Sequence, residues 1–199
     1  LSADHSNSDF RGTISEAAFD AAAPEPYEIS IDGLQEFGVD EKGGSMQVTH
    51  SFDSGAELVS ISAFRRTEGY VKDFDEDYTS APAGTSNALE KSKHFSQELR
   101  YASPSGGKFE YLFGLYYLTQ NIDGSGSASV FAPAINPAAP AIYVGAQHDE
   151  VVKSESYAAF VHSRLQLTNT VTLTAGARIN VEDKSIDYTL ADQSGLFTN

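Results

Sequence analysis

Cysteine and tryptophan are absent from this sequence, methionine occurs once, and basic residues are scarce. Without cysteine, neither a disulfide framework nor a thiolate metal site can form. The 13 Lys and Arg stand against 28 Asp and Glu, which gives a net charge of −15 over 199 residues. Because nucleic-acid binding depends on basic patches, this balance argues against a nucleic-acid partner.

Long apolar runs are also missing. No segment approaches the roughly 20 apolar residues of a membrane helix, and the first twenty residues lack the apolar stretch of a signal peptide. Transmembrane strands escape such a scan, because their alternating residues average to a low hydropathy. We interpret the chain as an internal segment of a longer protein.

Period-2 alternation is the main pattern that is present. In 95–101 and in 109–117, an aromatic or leucine side chain stands at nearly every second position, which is typical of a strand with two chemically different sides. Pro104 and the glycines after it stop both runs and allow the chain to reverse. We therefore predict a hairpin of strands 92–103 and 108–121.

The same rhythm predicts four further strands, at about 44–52, 56–71, 153–166 and 171–184. Short turns at 53–55, 104–107 and 167–170 alternate with long connections at 73–91 and 122–152. In an antiparallel meander, alternate connections lie at the same end of the sheet. Outer-membrane barrels show this asymmetry of short turns at one rim and long loops at the other.

The predicted fold is all-β: an antiparallel meander of about six strands, forming a partial segment of a large transmembrane β-barrel. Residues 1–43 are predicted to be an acidic extracellular loop or irregular segment. The barrel segment is assigned to 44–184, and 185–199 to the start of a further extracellular loop. Open edges are expected near 44–52 and 171–184.

Charged residues within the strands orient them. A Lys or Arg facing lipid at the midplane costs about 2–4 kcal/mol. We therefore predict that Glu98, Arg100 and Arg178 face the lumen. The alternative is a soluble sandwich, in which the apolar face packs on a second sheet and the charges face water.

Signals for catalysis and for bound metals are weak, so no catalytic residue, metal site or cofactor is predicted. The five histidines lack metal-ligand spacing, and no G-x-S-x-G elbow occurs. Asp73, Asp75 and Asp77 have the spacing that opens a calcium loop. Tyr78 and Gly84, however, stand where that loop needs Gly and Glu. Two interpretations of 73–77 are therefore kept: a looser cation site shared with other loops, and an acidic loop exposed to solvent.

Ligand contacts are predicted in the long connections. The stretch between 124 and 147 carries no charge and holds large apolar residues, which should bury themselves on other loops or against a ligand. Phe131 and Tyr143 are the candidates there. Asp75 and Asp77 are the candidates in the other long connection.

Three ordered motifs resemble the barrel of TonB-dependent outer-membrane receptors, in particular those of sphingomonad type. They are LVSISAFR at 58–65, FSQELR at 95–100 followed by YLFGLYY at 111–117, and ESYAAF at 155–160 followed by LTAGAR at 173–178. The resemblance covers roughly 44–184 in the order of the family.

The resemblance implies a barrel of about twenty-two strands with a plug domain in its lumen. It also implies active uptake of a scarce ligand of siderophore, cobalamin or oligosaccharide type across the outer membrane. The implied partners are outer-membrane lipid, the plug, the TonB energy complex and a small-molecule ligand. The alternatives are a passive outer-membrane barrel and a soluble extracellular β-sandwich, acting as a binding module or a glycan-active enzyme.

Overall fold

The computed structural model describes residues 1–11, 31–33, 35–78, 80–135, 138 and 141–192. Within them, seven strands form one antiparallel sheet in sequence order. The strands are β1 (Ser2–Arg11), β2 (Glu36–Ser51), β3 (Glu57–Asp75), β4 (Gly84–Ala102), β5 (Phe109–Phe131), β6 (Tyr143–Gln166) and β7 (Thr172–Asp192). A one-turn helix, α1 (Ala132–Ile135), follows β5.

The predicted all-β meander is confirmed, including its central hairpin. β4 pairs with β5 from Gly84↔Val130 to Ala102↔Leu112. The sheet is open, with β7 at one edge as expected. β1 forms the other edge and covers the part of β2 from Glu36 to Ser45. The interpretation of 1–43 as loop was therefore wrong for Ser2–Arg11 and for the start of β2, whereas 12–30 lie outside the described residues.

The strands are also longer than predicted at the end opposite the short turns. Of the expected loop 122–152, the structure keeps only the connection 132–142, because β5 continues to Phe131 and β6 begins at Tyr143. Likewise 84–91 belong to β4 and 185–192 to β7. The residues of these extensions show little alternation of apolar and polar side chains. Their backbone N–H and C=O groups are nevertheless hydrogen-bonded to neighbouring strands, and fewer of these groups would be paired in an irregular loop.

Short turns end the sheet on one side. The β2–β3 turn is closed by Phe52 N–H on Ala56 O at 2.9 Å, and Gly55 adopts φ 81°, which favours glycine. In the β6–β7 turn, the Thr168 hydroxyl accepts the Val171 amide at 3.0 Å. Since the meander is antiparallel, the three short turns lie at one end, and the connections 76–83 and 132–142 lie at the other. We call the parts of the sheet next to these ends the turn-side half and the loop-side half.

The register assigns every strand residue to one of two faces. Leu99 pairs with Leu115, Leu115 with Ala159 and Ala159 with Ile179, so these residues share what we call the outer face. Arg100, Gly114, Phe160 and Arg178 form a neighbouring row on the opposite, inner face. Along β6 most outer-face residues are exposed and most inner-face residues are half-buried.

Almost no hydrophobic core exists in the described residues. The buried apolar residues there are three alanines, Ala56, Ala132 and Ala158. Large apolar side chains remain exposed instead, with Leu115 at 59% and Ile179 at 68%. A chain of this size normally buries its large apolar residues, so this sheet needs a covering that the described residues do not supply.

Candidate functional site: a sheet wall with two different faces

Apolar side chains cover the outer face of the turn-side half. We call this set the apolar belt. It comprises Met46, Val48, Leu58, Phe64, Phe95, Leu99, Tyr101, Phe109, Tyr111, Phe113, Leu115, Tyr117, Tyr157, Ala159, Val161, Leu165, Leu173, Ala175, Ala177, Ile179 and Val181. The register brings these residues from six strands onto one continuous surface. Such an apolar patch on a single sheet marks a protein or membrane contact.

The height of the belt matches a bilayer. From Phe109 to Tyr117, β5 runs about 27 Å along its axis at roughly 3.4 Å per residue. A strand tilted by about 40° would cover about 20 Å of that along the membrane normal, close to the roughly 25 Å apolar band of outer-membrane barrels. Aromatic rings stand at both borders: the Tyr101 and Tyr111 rings lie 6.4 Å apart on the turn side. On the loop side, the Tyr117 and Tyr157 rings lie 4.9 Å apart.

Four polar side chains interrupt the belt, namely Ser60, Ser62, Gln97 and Ser163. The first three hydrogen-bond to one another. The Ser62 hydroxyl donates to Gln97 Oε1 at 2.5 Å, and Gln97 Nε2 donates to Ser60 Oγ at 2.9 Å. Unpaired polar groups are costly in an apolar surrounding. This mutual pairing keeps the interruption compatible with an apolar environment, and the sequence analysis did not detect it.

The inner face of the same half is polar and internally paired. Arg100 Nε donates to Glu98 Oε1 at 2.6 Å. Arg178 Nε donates to Asn180 Oδ1 at 2.7 Å, and its guanidinium lies 5.6 Å from the Phe160 ring centroid. The same group is 5.6 Å from the Tyr116 ring, a geometry suited to cation–π attraction.

Glu98, Arg100 and Arg178 therefore share one face and lie in two neighbouring rows of the sheet. That this face borders a lumen stays a prediction. The sequence analysis missed the contribution of Tyr116 and Phe160, because their closeness to Arg178 depends on pairing across three strands.

At the loop end, the structure joins two of the predicted ligand residues. The Phe131 and Tyr143 rings lie 5.3 Å apart where β5 and β6 begin to diverge. The Tyr143 hydroxyl donates to Pro82 O at 2.7 Å, and the Phe131 amide donates to Ala83 O at 2.7 Å. The connection 76–83 is thus bound to the adjoining ends of β5 and β6. Ligand binding by Phe131 and Tyr143 stays a prediction.

Asp75 has a structural role in the neighbouring connection. Its side chain is 0% exposed. Its carboxylate accepts the backbone amides of Tyr78 at 2.7 Å, Asp77 at 3.0 Å and Asp32 at 3.3 Å. This acidic run fixes the fold of the chain after β3. Asp75 and Asp77 are predicted to bind ligand. Asp75 would have to do so with a buried carboxylate.

Asp32 adds a third carboxyl group to this cluster. Desolvation raises the pKa of Asp32 above its ordinary value, and the neighbouring carboxylates of Asp75 and Asp77 raise it further. Among the described residues, no group of three or more His, Asp or Glu side chains is arranged to hold a metal ion. No helix in the described part of the chain has the length and hydropathy to cross a membrane.

Comparison with known protein families and with curated proteins found no match to this chain.

Proposed function

We propose that this chain forms part of the wall of a transmembrane β-barrel in a Gram-negative outer membrane. The barrel would be that of a TonB-dependent receptor for a scarce ligand of siderophore, cobalamin or oligosaccharide type. One observation carries the proposal: the register gathers the apolar belt on one face and paired charges on the other. Lipid would cover the belt, and water would wet the inner face.

The energetics of the faces support this orientation. The inner-face arginines would cost about 2–4 kcal/mol each in the middle of the hydrocarbon. The belt side chains, such as Phe113 at 52% exposure, would gain by leaving water. Strands β3 to β6 are each hydrogen-bonded to a neighbour on both sides, as hydrocarbon requires. Further strands are therefore needed only at β1, at β7 and along the part of β2 from 46 to 51 that β1 does not cover.

A soluble sandwich is the rival from another class. It would need a second sheet packed over the belt, whereas all strands of the described residues belong to one sheet. The two proposals differ in a simple measurement on the intact protein. A folded membrane barrel resists dodecyl sulfate until heated and sediments with outer membranes; a soluble module would do neither.

Active uptake is supported by the ordered sequence motifs alone. Its test is accumulation of labelled ferric chelate, cobalamin and oligosaccharide by cells that carry or lack the intact protein. With a receptor, accumulation of one probe should require the protein and should cease when a protonophore collapses the proton gradient. Accumulation that persists with the protonophore would indicate a passive barrel instead.

The place of selection can be tested at the connection 132–142. Replacing it by a few Gly and Ser residues should keep β5 and β6 paired, because each doubling of loop length changes closure by only about 0.6 kcal/mol. Uptake of the active probe should fall if the connection contacts the ligand. Normal uptake at normal surface display would show that the connection takes no part in ligand selection.

A further inference from the structure

One cross-strand row of the outer face gathers four of the 13 Lys and Arg residues of the chain. Going from β1 to β6, the register aligns His5, Lys42, Arg66, Lys93, Asn121 and Lys153. All six side chains are exposed. We call this set the basic row.

The arrangement of charges within the row is unfavourable by itself. Lys42 is paired directly with Arg66, and Arg66 directly with Lys93, with no acidic residue between them. Like charges opposite one another on neighbouring strands destabilise a sheet. Basic residues are outnumbered by 28 to 13 in this chain, so composition alone does not bring three of them together. An anion outside the chain would remove the repulsion.

Acidic residues of the chain compensate the row only in part. Lys42 Nζ lies 2.9 Å from Asp40 Oδ1, and Arg66 Nη2 lies 3.4 Å from Glu68 Oε2. Within the described part of the chain, Lys93 and Lys153 form no ion pair.

Lys93 and Lys153 also flank a common neighbour. Asn121 lies between them in the row and offers an amide donor to the same ligand. Lys93 and Lys153 stand two strands apart, about 10 Å at the usual strand spacing. Exposed carboxylates of the same face lie beside this end of the row, with Asp123 next to Asn121 and Glu155 next to Lys153. The cationic centre of the row is therefore the set of Lys42, Arg66 and Lys93.

The row lies at the border of the apolar belt. Two positions further toward the short turns on the same face, Arg66 is followed by Phe64 and Lys93 by Phe95. Two residues correspond to about 7 Å along a strand. Long basic side chains bridge such a distance, with their stems on apolar surface and their charges in the polar layer.

We infer that the basic row binds phosphate-bearing headgroups of anionic lipids in the leaflet next to the loop-side half. The inference rests on the proposed function, since it requires the belt to lie in a bilayer. Continuity with the belt favours lipid over a free anion, because the same molecule can place its chains on Phe64 and Phe95 and its phosphate on Arg66 and Lys93. Attraction of this kind weakens with salt.

The test uses the intact protein reconstituted into phosphatidylcholine vesicles with traces of chain-spin-labelled lipid. Electron spin resonance separates lipids held at the protein surface from free lipids. Labelled phosphatidylglycerol should be enriched at the surface over labelled phosphatidylcholine. Each surface cation should raise the local preference for phosphatidylglycerol up to about fivefold. Because only part of the protein perimeter carries the row, the enrichment averaged over all surface-held lipid should be about twofold.

Variants assign the enrichment to the row. Lys93→Gln should reduce it, and the triple change Arg66→Gln, Lys93→Gln and Lys153→Gln should bring it close to one. Lys184→Gln is the matched control, because Lys184 lies at a similar height in β7 but has inner-face parity. It should leave the enrichment unchanged. Enrichment that is absent in the wild type, or that survives the triple change, overturns the inference.

Two further outcomes separate the sources of failure. Sodium phosphate should lower the enrichment no more than sodium chloride of equal ionic strength. A larger effect of phosphate would show that the row binds a soluble anion, and would overturn the inference that it binds lipid. If neither label shows a surface-held component, the chain does not lie in the bilayer, and both proposals fail. If phosphatidylcholine is held normally and phosphatidylglycerol is not enriched, only the inference fails.

Discussion

The two halves of β5 share one backbone ladder but follow different rules of composition. In the turn-side half, the outer-face positions from 109 to 117 read Phe, Tyr, Phe, Leu, Tyr. In the loop-side half, the same face from 123 to 129 reads Asp, Ser, Ser, Ser. Both halves pair with β4 and β6 without interruption.

The difference shows that pairing and patterning have separate causes here. Backbone hydrogen bonds hold the strands together in both halves. Strict alternation is needed only where one face meets an apolar surrounding and the other meets water. In the loop-side half both faces can be wet, so small and polar residues suffice. The following predictions test this contrast, beginning with the largest effect.

A charge placed in the belt should be far more harmful than the same charge above it. Ala177→Arg puts a guanidinium among belt residues and should cost about 2–4 kcal/mol. Thr189→Arg has the same outer-face parity in the loop-side half of β7 and should be nearly neutral. The measurement is the folded, heat-modifiable fraction of the intact protein across a urea titration.

Gly176→Arg serves as the control for face, because Gly176 neighbours Ala177 but points inward. A Cβ atom at Gly176 would lie 3.3 Å from Val161 O, a close contact without overlap. Because the arginine would point to the polar face, Gly176→Arg should be tolerated better than Ala177→Arg. Equal folded fractions for Ala177→Arg and Thr189→Arg would show that the two halves do not differ in environment.

Two inner-face glycines compare packing in the halves. A methyl group at Gly114 would overlap the Phe160 ring, and one at Gly126 would overlap the His148 ring. Phe160 also carries the Arg178 contact, so Gly114→Ala should cost about 1–3 kcal/mol. His148 can turn toward water, so Gly126→Ala should cost less than about 1 kcal/mol.

Urea midpoints of the two alanine variants measure this difference. Adding Phe160→Leu to Gly114→Ala should recover much of the loss, because the smaller side chain leaves room for the methyl group. A larger loss at Gly126 than at Gly114 would contradict tighter packing in the turn-side half.

The loop-side half should depend on individual polar contacts at its rim. Tyr143→Phe removes the hydrogen bond to Pro82 O and should cost about 0.5–1.5 kcal/mol locally. The Phe131 amide, which bonds to Ala83 O, should then exchange faster with deuterated water. Tyr188→Phe is the control from the same half, and it should leave that amide unchanged. Unaltered exchange in Tyr143→Phe would mean that backbone pairing alone holds the rim.

The smallest expected effect is a pH dependence at the acidic cluster. Because the pKa of Asp32 is raised in the fold, its protonated form is the better fit. The stability that it contributes is therefore complete below its ordinary pKa and is lost as pH rises through the raised value. Asp32→Asn should slow exchange of the Tyr78 amide at pH 7 but not at pH 3.

Asp53→Asn provides the turn-side control for this pH effect, since Asp53 lies in the β2–β3 turn, away from the cluster. It should not change exchange of the Tyr78 amide at either pH. If Asp32→Asn slows exchange of the Tyr78 amide equally at both pH values, the charge of Asp32 is not the cause of the effect.

Sequence reasoning succeeded where the belt imposes alternation. The strands 92–103, 108–121 and 171–184 were predicted because an apolar side chain stands at most second positions in their central parts. It failed for β1 and for the ends of β5 and β6, because their polar or small residues carry no period that separates strand from loop. It did not detect that the Asp75 carboxylate accepts the amide of Asp32, because these two residues are 43 positions apart in sequence.

The pattern of residues along the chain is enough to tell which residues of a strand share a face, since side chains alternate with a period of two. It is also enough to tell where the chain turns, through Gly55, Pro104 and Gly106. Which residues lie side by side across strands follows from the pairing of the folded sheet instead. The row of Lys42, Arg66 and Lys93, and the closeness of Arg178 to Tyr116, both depend on register, and a slip of one residue would move each set to the opposite face.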